Sequence, residues 1–189
     1  MTKILAFSGS ARVGSYNHKL VQIAAAGARQ AGAEVTVINL ADYPMPLFNQ
    51  DLETTDGMPE PARAFKELLI AHDGFLIASP EYNSAFSPLL KNAIDWASRR
   101  EGDEARLLAF SGKAAVIMAA STGALGGLRG LVFLRMLLGN IGMVVLPDQH
   151  AIPHAEQAYA GDGSLLDEAK HKAVFALGTT LAQYLKAIK

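Results

Sequence analysis

Five short apolar runs alternate with five longer segments of helical spacing, and this alternation restricts the fold more than any other feature of the chain. The runs cover residues 4–7, 35–38, 74–78, 114–118 and 143–146, and the helical segments cover residues 17–31, 59–71, 88–97, 128–138 and 174–188. Because a helix separates each strand from the next, neighbouring strands should be parallel. The pattern predicts a single α/β domain over residues 1–189: a doubly wound five-stranded parallel sheet in the order 2-1-3-4-5, with helices on both faces.

Two segments show no period and are predicted to be irregular. Residues 40–58 contain Pro44, Pro46 and Gly57, which indicates a loop of about nineteen residues, longer than most connections between elements. Residues 147–162 are the second irregular segment. Loops as long as the first often have a function, whereas the sequence assigns no role to the second.

Composition excludes several classes of partner and chemistry. The net charge is -1 and the basic residues are scattered, so neither nucleic acid nor an anionic membrane is an expected partner. The absence of cysteine excludes disulfides, thiolate nucleophiles and iron–sulfur clusters. Any redox chemistry therefore needs a borrowed electron carrier. The apolar run at the start is too short for a signal peptide, which predicts a soluble, cytoplasmic protein.

Polar residues are concentrated in the loop after the first predicted strand, just before a helix. The loop holds two glycines and the candidate ligand-binding residues Ser10, Arg12, Ser15, Tyr16 and Asn17. A helix N-terminus offers unpaired N–H groups and a partial positive charge, which suit a phosphate monoester. The simpler alternative is that Ser15 or Asn17 only caps the helix. The loop lacks the Lys-Ser/Thr ending of a nucleotide hydrolase and the three-glycine spacing of a dinucleotide site.

Two further polar loops follow the third and fourth predicted strands. The third strand leads into Pro80, Glu81, Tyr82 and Asn83, after which Ser87 and Pro88 indicate a new helix; taken alone, this could be an ordinary strand-to-helix turn. The fourth strand leads into Ser121, Thr122 and Gly123. In the predicted strand order, a crevice lies between strands one and three at the carboxyl edge. The sequence therefore predicts a flat, phosphorylated ligand across that edge.

Three motifs resemble the NADPH-dependent FMN reductase family of flavodoxin-like flavoproteins, which includes quinone, azo-dye and chromate reductases. They are Gly9-Ser10-x-Arg12-x-x-Ser15-x-Asn17, Pro80-Glu81-Tyr82-Asn83 and Pro88-x-Leu90-Lys91-Asn92-x-Ile94-Asp95-Trp96. The resemblance runs from Lys3 to about Leu146. It implies FMN as cofactor and NAD(P)H as co-substrate, with the phosphate at the first motif and the isoalloxazine against the second. Ser121, Thr122 and Gly123 would then close the other edge of the ring, and residues 44–51 would reach the pocket of a neighbouring subunit.

The resulting prediction is an FMN-dependent oxidoreductase that takes hydride from NAD(P)H and reduces a quinone, free flavin, azo dye or metal oxyanion. Hydride transfer belongs to the cofactor, so no catalytic side chain is assigned. Arg12 could instead bind the phosphate of the pyridine nucleotide. Two alternatives stay open: a flavodoxin-like electron carrier or regulatory protein, and a phosphate-binding module without flavin. Near-neutral charge favours the enzyme, because dedicated carriers tend to be acidic.

The helix predicted at residues 128–138 is apolar almost all round. One face should pack on the sheet, and the other needs a cover. We expect a homodimer, possibly paired into tetramers, formed by this helix together with the helix at residues 88–97. Burial under the carboxyl-terminal segment of the same chain is the alternative. A metal site at Asp148, His150 and His154 is disfavoured, because the spacing supplies no third strong ligand at helical or hairpin distance.

Overall fold

The computed structural model describes all 189 residues and contains eight β-strands and six α-helices. The strands are β1 (Lys3–Ser8), β2 (Glu34–Asn39), β3 (Gly74–Ala78), β4 (Glu81–Tyr82), β5 (Ala85–Phe86), β6 (Ala114–Ala120), β7 (Val144–Val145) and β8 (His150–Ile152). The helices are α1 (Tyr16–Gln30), α2 (Gln50–Asp56), α3 (Glu60–Ala71), α4 (Pro88–Ala97), α5 (Leu128–Asn140) and α6 (Glu168–Ala187). The other six strands form one sheet, whereas β4 and β5 form a separate hairpin.

The main sheet is parallel and confirms the predicted strand order. Its order is β2-β1-β3-β6, and both β7 and β8 pair with β6 at the far edge. The predicted fifth strand is therefore split, and the prediction that residues 147–162 are entirely irregular was wrong. β7 pairs with the start of β6 and β8 with its end. Pro147 lies in the interruption, where a residue without an N–H cannot continue the ladder.

Side-chain alternation along the central strands divides the core into two layers. Ile4 and Ala6 of β1 face the layer containing α1 and α6, whereas Leu5 and Phe7 face α3, α4 and α5. The helices α1 and α6 lie so close together that a Cβ on Gly178 would come within 1.8 Å of the Ala24 carbonyl oxygen. Since β1, β3 and β6 are covered on both faces, only their ends can hold a ligand.

Residues 40–58 are more ordered than the predicted loop. They contain a 3-10 turn at Leu40–Asp42 and the helix α2, which has no buried residue and therefore no apolar period to reveal it. The Asn49 side chain caps α2, and Gly57 ends it with a φ of 78°. The segment is fixed to α4: Trp96, which is fully buried, donates its indole N–H to the Pro46 carbonyl at 2.8 Å.

The helix α5 leaves one apolar face uncovered. Leu131, Leu134 and Leu138 are buried against the sheet, whereas Val132 and Met136 are 60% and 58% exposed. The alternative in which the carboxyl-terminal segment covers this face was wrong, because α6 packs beside α1 in the other layer. None of the six helices combines the length and the apolar composition needed to cross a membrane.

Candidate functional site

The three polar loops meet at the carboxyl edge of the sheet and are hydrogen-bonded to one another. They follow β1, β3 and β6, which are adjacent strands. The Ser87 hydroxyl donates to the Gly9 carbonyl oxygen at 2.5 Å and so joins the first loop to the start of α4. The Asn17 side chain joins the first loop to the end of β6 at Ala120. The predicted convergence of distant segments is thus present as direct bonds.

The first loop offers a row of free hydrogen-bond donors. The backbone N–H groups of residues 10, 11, 13, 14, 16 and 17 have no protein acceptor. Ser15 caps α1 by accepting from the His18 N–H at 3.2 Å, and the first turn contains no acidic side chain. The Arg12 guanidinium is exposed and has no carboxylate partner. These unpaired donors and the α1 dipole fit a phosphate, so the residues present fit the phosphate end of FMN.

The Asn17 side chain fixes the first loop to the end of β6 at this edge. It is 4% exposed, its amide nitrogen donates to the Ala120 carbonyl at 2.8 Å, and its amide oxygen accepts from the Ala120 N–H at 2.9 Å. One N–H of the carboxamide remains for a ligand. Asn17 can therefore contact a ligand, as predicted, and at the same time bind the end of β6, a structural role that the motif did not reveal.

The segment after β3 is a two-stranded hairpin rather than a simple loop. Glu81 pairs with Phe86 and Tyr82 pairs with Ala85. Asn83 and Ser84 form the turn with φ values of 50° and 70°, a left-handed pair typical of tight hairpin turns. The left-handed turn alone is enough to account for an asparagine at position 83, with no need for a ligand contact. Tyr82, next to the turn, is 55% exposed and lies at the edge near Pro80.

Glu81 holds the hairpin against α5. One carboxylate oxygen accepts from the Gly130 N–H at 3.0 Å, and the other accepts from Arg129 at 2.7 Å. Burial by itself would raise the pKa of Glu81, but the Gly130 N–H and the Arg129 guanidinium outweigh it and lower the pKa. The side chain is 8% exposed, so the carboxylate faces α5 and not the open edge. Only the backbone of Glu81 therefore remains available for the predicted ligand contact.

The loop after β6 supplies further free polar groups. Ser121 is fixed through its backbone, which donates to Ile152 and accepts from Ala155, both at 3.1 Å. Thr122 and Gly123 are exposed, and the Thr122 hydroxyl has no protein partner. Gly126 follows with a φ of 62°, where a Cβ would lie 2.6 Å from the Ile152 carbonyl carbon. The loop can therefore pack this closely against β8 only with glycine at that position.

Sequence reasoning missed Tyr159, which lies beside the first loop in the segment predicted to be irregular. Its ring is parallel to that of Tyr16, with centroids 5.9 Å apart, and its hydroxyl donates to the Tyr16 carbonyl at 2.9 Å. The Arg12 guanidinium lies 5.0 Å from the Tyr16 ring centroid. The only signal in the sequence was one aromatic residue in a polar segment, which is too little to identify a contact.

No group of three metal-ligating side chains is assembled anywhere in the structure, Asp148, His150 and His154 included. The site is instead an open edge with anion donors at the start of α1, a phenol on a rigid hairpin, and a glycine-containing loop opposite. This fold and this edge define a flavodoxin-like protein that binds a flat, phosphorylated ligand at the carboxyl ends of its strands.

Comparisons with known proteins agree with that class and narrow it. The sequence profile of the NADPH-dependent FMN reductases matches residues 2–157. An NAD(P)H-dependent FMN reductase of Pseudomonas aeruginosa is 37% identical over 167 residues, covering 88% of this chain and 85% of the relative. A 2-hydroxy-1,4-benzoquinone reductase of a Burkholderia species is 34% identical, with coverages of 90% and 88%. The chain belongs to the NADPH-dependent FMN reductase family.

Solved structures support the same assignment. The flavoenzyme FerB of Paracoccus denitrificans, an NAD(P)H:acceptor oxidoreductase, superimposes on this chain with a TM-score of 0.81 at 30% identity. The superposition covers 98% of the FerB chain. An archaeal flavodoxin, 12% identical with a TM-score of 0.63, shares the fold. The predictions of a flavodoxin-like fold, of FMN with NAD(P)H as co-substrate, and of an oxidoreductase acting on a small-molecule acceptor are confirmed.

Proposed function

We propose that this protein is an NAD(P)H-dependent quinone reductase whose FMN lies across the three loops at the carboxyl edge. The observation that carries the proposal is the row of unpartnered N–H groups at the start of α1, joined by hydrogen bonds to the loops after β3 and β6. When bound, FMN supplies the chemistry by taking hydride from NAD(P)H and giving electrons to the acceptor.

The first loop would hold the phosphate. Ser10 and Ser15 contribute hydroxyls, Tyr16 and Asn17 contribute backbone N–H groups, and Arg12 contributes a charge-assisted donor. Because no carboxylate competes for Arg12, its charge is available to a ligand phosphate. The Ser15 hydroxyl already accepts from His18, so it can still donate its proton outward.

The loops after β3 and β6 would enclose the ring system. Pro80, Tyr82 and Asn83 contribute from the rigid hairpin, and Glu81 contributes its backbone while its side chain fixes the hairpin to α5. Ser121, Thr122 and Gly123 would contact the opposite edge. A planar substrate could then approach from the open side past the exposed Tyr82 ring.

A quinone is the acceptor class favoured by the relatives, which include the benzoquinone reductase of Burkholderia and a quinone reductase of Escherichia coli that is 32% identical over 145 residues. Steady-state NADPH and NADH oxidation should be measured with quinones, azo dyes, free flavins and metal oxyanions. We expect the highest kcat/KM with a quinone. If no acceptor stimulates NAD(P)H oxidation by yellow, FMN-containing protein, the protein is a carrier and the enzyme proposal is wrong.

A homodimer is part of the same proposal. The uncovered face of α5 includes Val132 and Met136, and Leu47 in the segment 44–51 is 78% exposed. Such apolar surface is typical of a subunit interface. Light scattering at micromolar concentration should give a dimer or a tetramer. Val132→Asp should shift the mass to the monomer. Leu166→Asp is the control and should not, because Leu166 is similarly exposed at 64% but lies outside both α5 and the segment 44–51.

We treat residues 1–189 as one domain, since both helix layers pack on a single sheet. One cooperative thermal transition is the expected result, and two separated transitions would contradict it. A cytoplasmic location completes the proposal, because the family's hydride donor NAD(P)H is a metabolite of the cell interior. Fractionation of cells that carry the tagged protein tests this location directly.

A further inference from the structure

Tyr159 lies outside the matched family segment, yet it contacts the residue that begins α1. The matched segment ends at residue 157. Tyr159 stacks on Tyr16 with an interplanar angle of 8°, and its hydroxyl donates to the Tyr16 carbonyl. The stack is offset, because parallel rings with centroids 5.9 Å apart do not overlap fully. Tyr16 is therefore held by its neighbour through both ring and backbone.

The Tyr16 ring in turn carries Arg12. The guanidinium carbon lies 5.0 Å from the ring centroid, and Arg12 makes no ion pair within the protein. An exposed arginine loses side-chain freedom when it binds an anion, and a fixed aromatic face reduces that loss by restricting the guanidinium in advance. The Lys19 ammonium lies 5.5 Å from the centroid of the Tyr159 ring. Two cations thus flank one aromatic pair at the start of α1.

The segment that carries Tyr159 is itself well anchored. Tyr159 forms an antiparallel bridge with Leu165, which is 5% exposed, and the Leu165 N–H donates to the His171 ring nitrogen of α6 at 3.2 Å. The Ala155 N–H donates to the Ser121 carbonyl, so the same segment also braces the loop after β6. Burial raises the pKa of the Tyr159 hydroxyl, which therefore stays protonated and remains a donor.

We propose that Tyr159 is a positioning residue for phosphate binding: it fixes the Tyr16 ring, and the ring fixes Arg12 beside the free N–H groups of the first loop. The inference deepens the proposed function and rests on it, since it presumes that the anion at this loop is the FMN phosphate. It predicts that Tyr159 affects the affinity for FMN through the phosphate only. The contribution of the isoalloxazine ring to FMN affinity should not depend on Tyr159.

Flavin release from the protein tests the proposal. Protein loaded with FMN is diluted, free flavin is separated by ultrafiltration, and the dissociation constant is determined from its fluorescence. Tyr159→Leu should weaken FMN binding roughly three- to five-fold, the range of one exposed cation–π contact. Tyr159→Phe, which keeps the ring, should stay within about two-fold of the wild type. Tyr184→Leu, a half-buried tyrosine on α6 that packs against the same core, is the matched control and should have no effect.

Riboflavin, which lacks the phosphate, separates positioning from general damage. Protein reconstituted with riboflavin should release it equally in the wild type and in Tyr159→Leu. In an Arg12→Ala background, Tyr159→Leu should cause no further loss of FMN affinity, because the group it positions is gone. Equal weakening of riboflavin and FMN, or additive losses with Arg12→Ala, would overturn the inference. A wild type that binds no FMN would instead overturn the proposed function.

Discussion

Replacing Asn17 by alanine should damage both the stability of the protein and its cofactor site, because this carboxamide joins the loops after β1 and β6. The side chain makes two hydrogen bonds to Ala120, at 2.8 and 2.9 Å, and Ala120 is 2% exposed. Asn17→Ala leaves one backbone N–H and one backbone carbonyl without a partner. A stranded buried group costs about 1–3 kcal/mol, so two cost about 2–6 kcal/mol. Partial access of water to the space left by the side chain puts the expected loss at the lower end of that range, about 2–4 kcal/mol.

The expected loss is large enough to measure by thermal unfolding. For a chain of this size, 1 kcal/mol corresponds to about 2–4 °C in Tm, which gives a decrease of about 5–15 °C. The assay is circular dichroism of the FMN-free protein, so that ligand loss does not contribute. Asn39→Ala is a useful control, because that side chain only accepts one bond from the Ala41 N–H in an exposed turn. It should lower Tm by much less.

Asn17→Asp sharpens the test through its pH dependence. An ionised carboxylate can accept from the Ala120 N–H but repels the Ala120 carbonyl, whereas a protonated carboxyl can make both bonds. Burial raises a carboxyl pKa, so this contribution is present at low pH and lost as pH rises through the folded value. The deficit relative to the wild type should therefore be smaller at about pH 4 than at about pH 7. A stability deficit that does not change with pH would refute the role given to the two Asn17–Ala120 hydrogen bonds, as would an Asn17→Ala Tm equal to that of the wild type.

Three further substitutions test other contacts of the site. Glu81→Gln should lower stability by about 1–2 kcal/mol, discounted for the exposed arginine partner. Because the folded pKa of Glu81 is lowered, urea titrations should show the full difference from the wild type above the unfolded value of 4.5 and its progressive loss as pH falls from there through the folded pKa. Ser87→Ala removes the α4 cap and strands a first-loop carbonyl, and denaturant unfolding should show a loss of about 2–4 kcal/mol. Gly126→Ala should lower Tm and FMN affinity together, because φ is 62° and a Cβ would strike the β8 backbone, whereas Gly161→Ala meets nothing within 4 Å and should be neutral; equal effects of the two glycine substitutions would contradict the close approach.

The sheet and its strand order could be predicted because fully buried parallel strands have a strong local signature. Every residue of β3 and β6 is buried, so each reads as an uninterrupted apolar run. The split fifth strand lacked that signature. Val144 is exposed at the sheet edge, and the second half begins with a polar His150. Edge strands are covered on fewer sides, and their sequences are correspondingly less apolar.

The missed elements were those held by tertiary contacts or by turn chemistry. The helix α2 buries no residue and stays in place through a bidentate pair between Glu53 and Arg99 at 2.7 Å, which spans 46 positions. The β4–β5 hairpin depends on two left-handed residues, Asn83 and Ser84, that do not form the Asn-Gly pair typical of such turns. Neither feature has a period that a sequence pattern could reveal.

The site was predictable as a set of loops but not as a set of roles. Motif spacing selected Ser15, Asn17 and Glu81, which lie in loops that the structure brings to one edge. It could not show that the Glu81 carboxylate is directed to α5 or that Asn17 is bonded to Ala120, because these partners lie 49 and 103 positions away. The same distance in sequence hid Tyr159, whose contact with Tyr16 spans 143 positions.

Hydrogen–deuterium exchange with and without FMN tests the central claim most directly. If one cofactor lies across the edge formed by three loops, FMN should slow exchange together in peptides covering residues 10–17, 80–87 and 121–127. The amino-terminal edge of the sheet, including Asp73 and the end of α6, should be unchanged. Protection confined to one loop, or stronger at that opposite edge, would contradict the account.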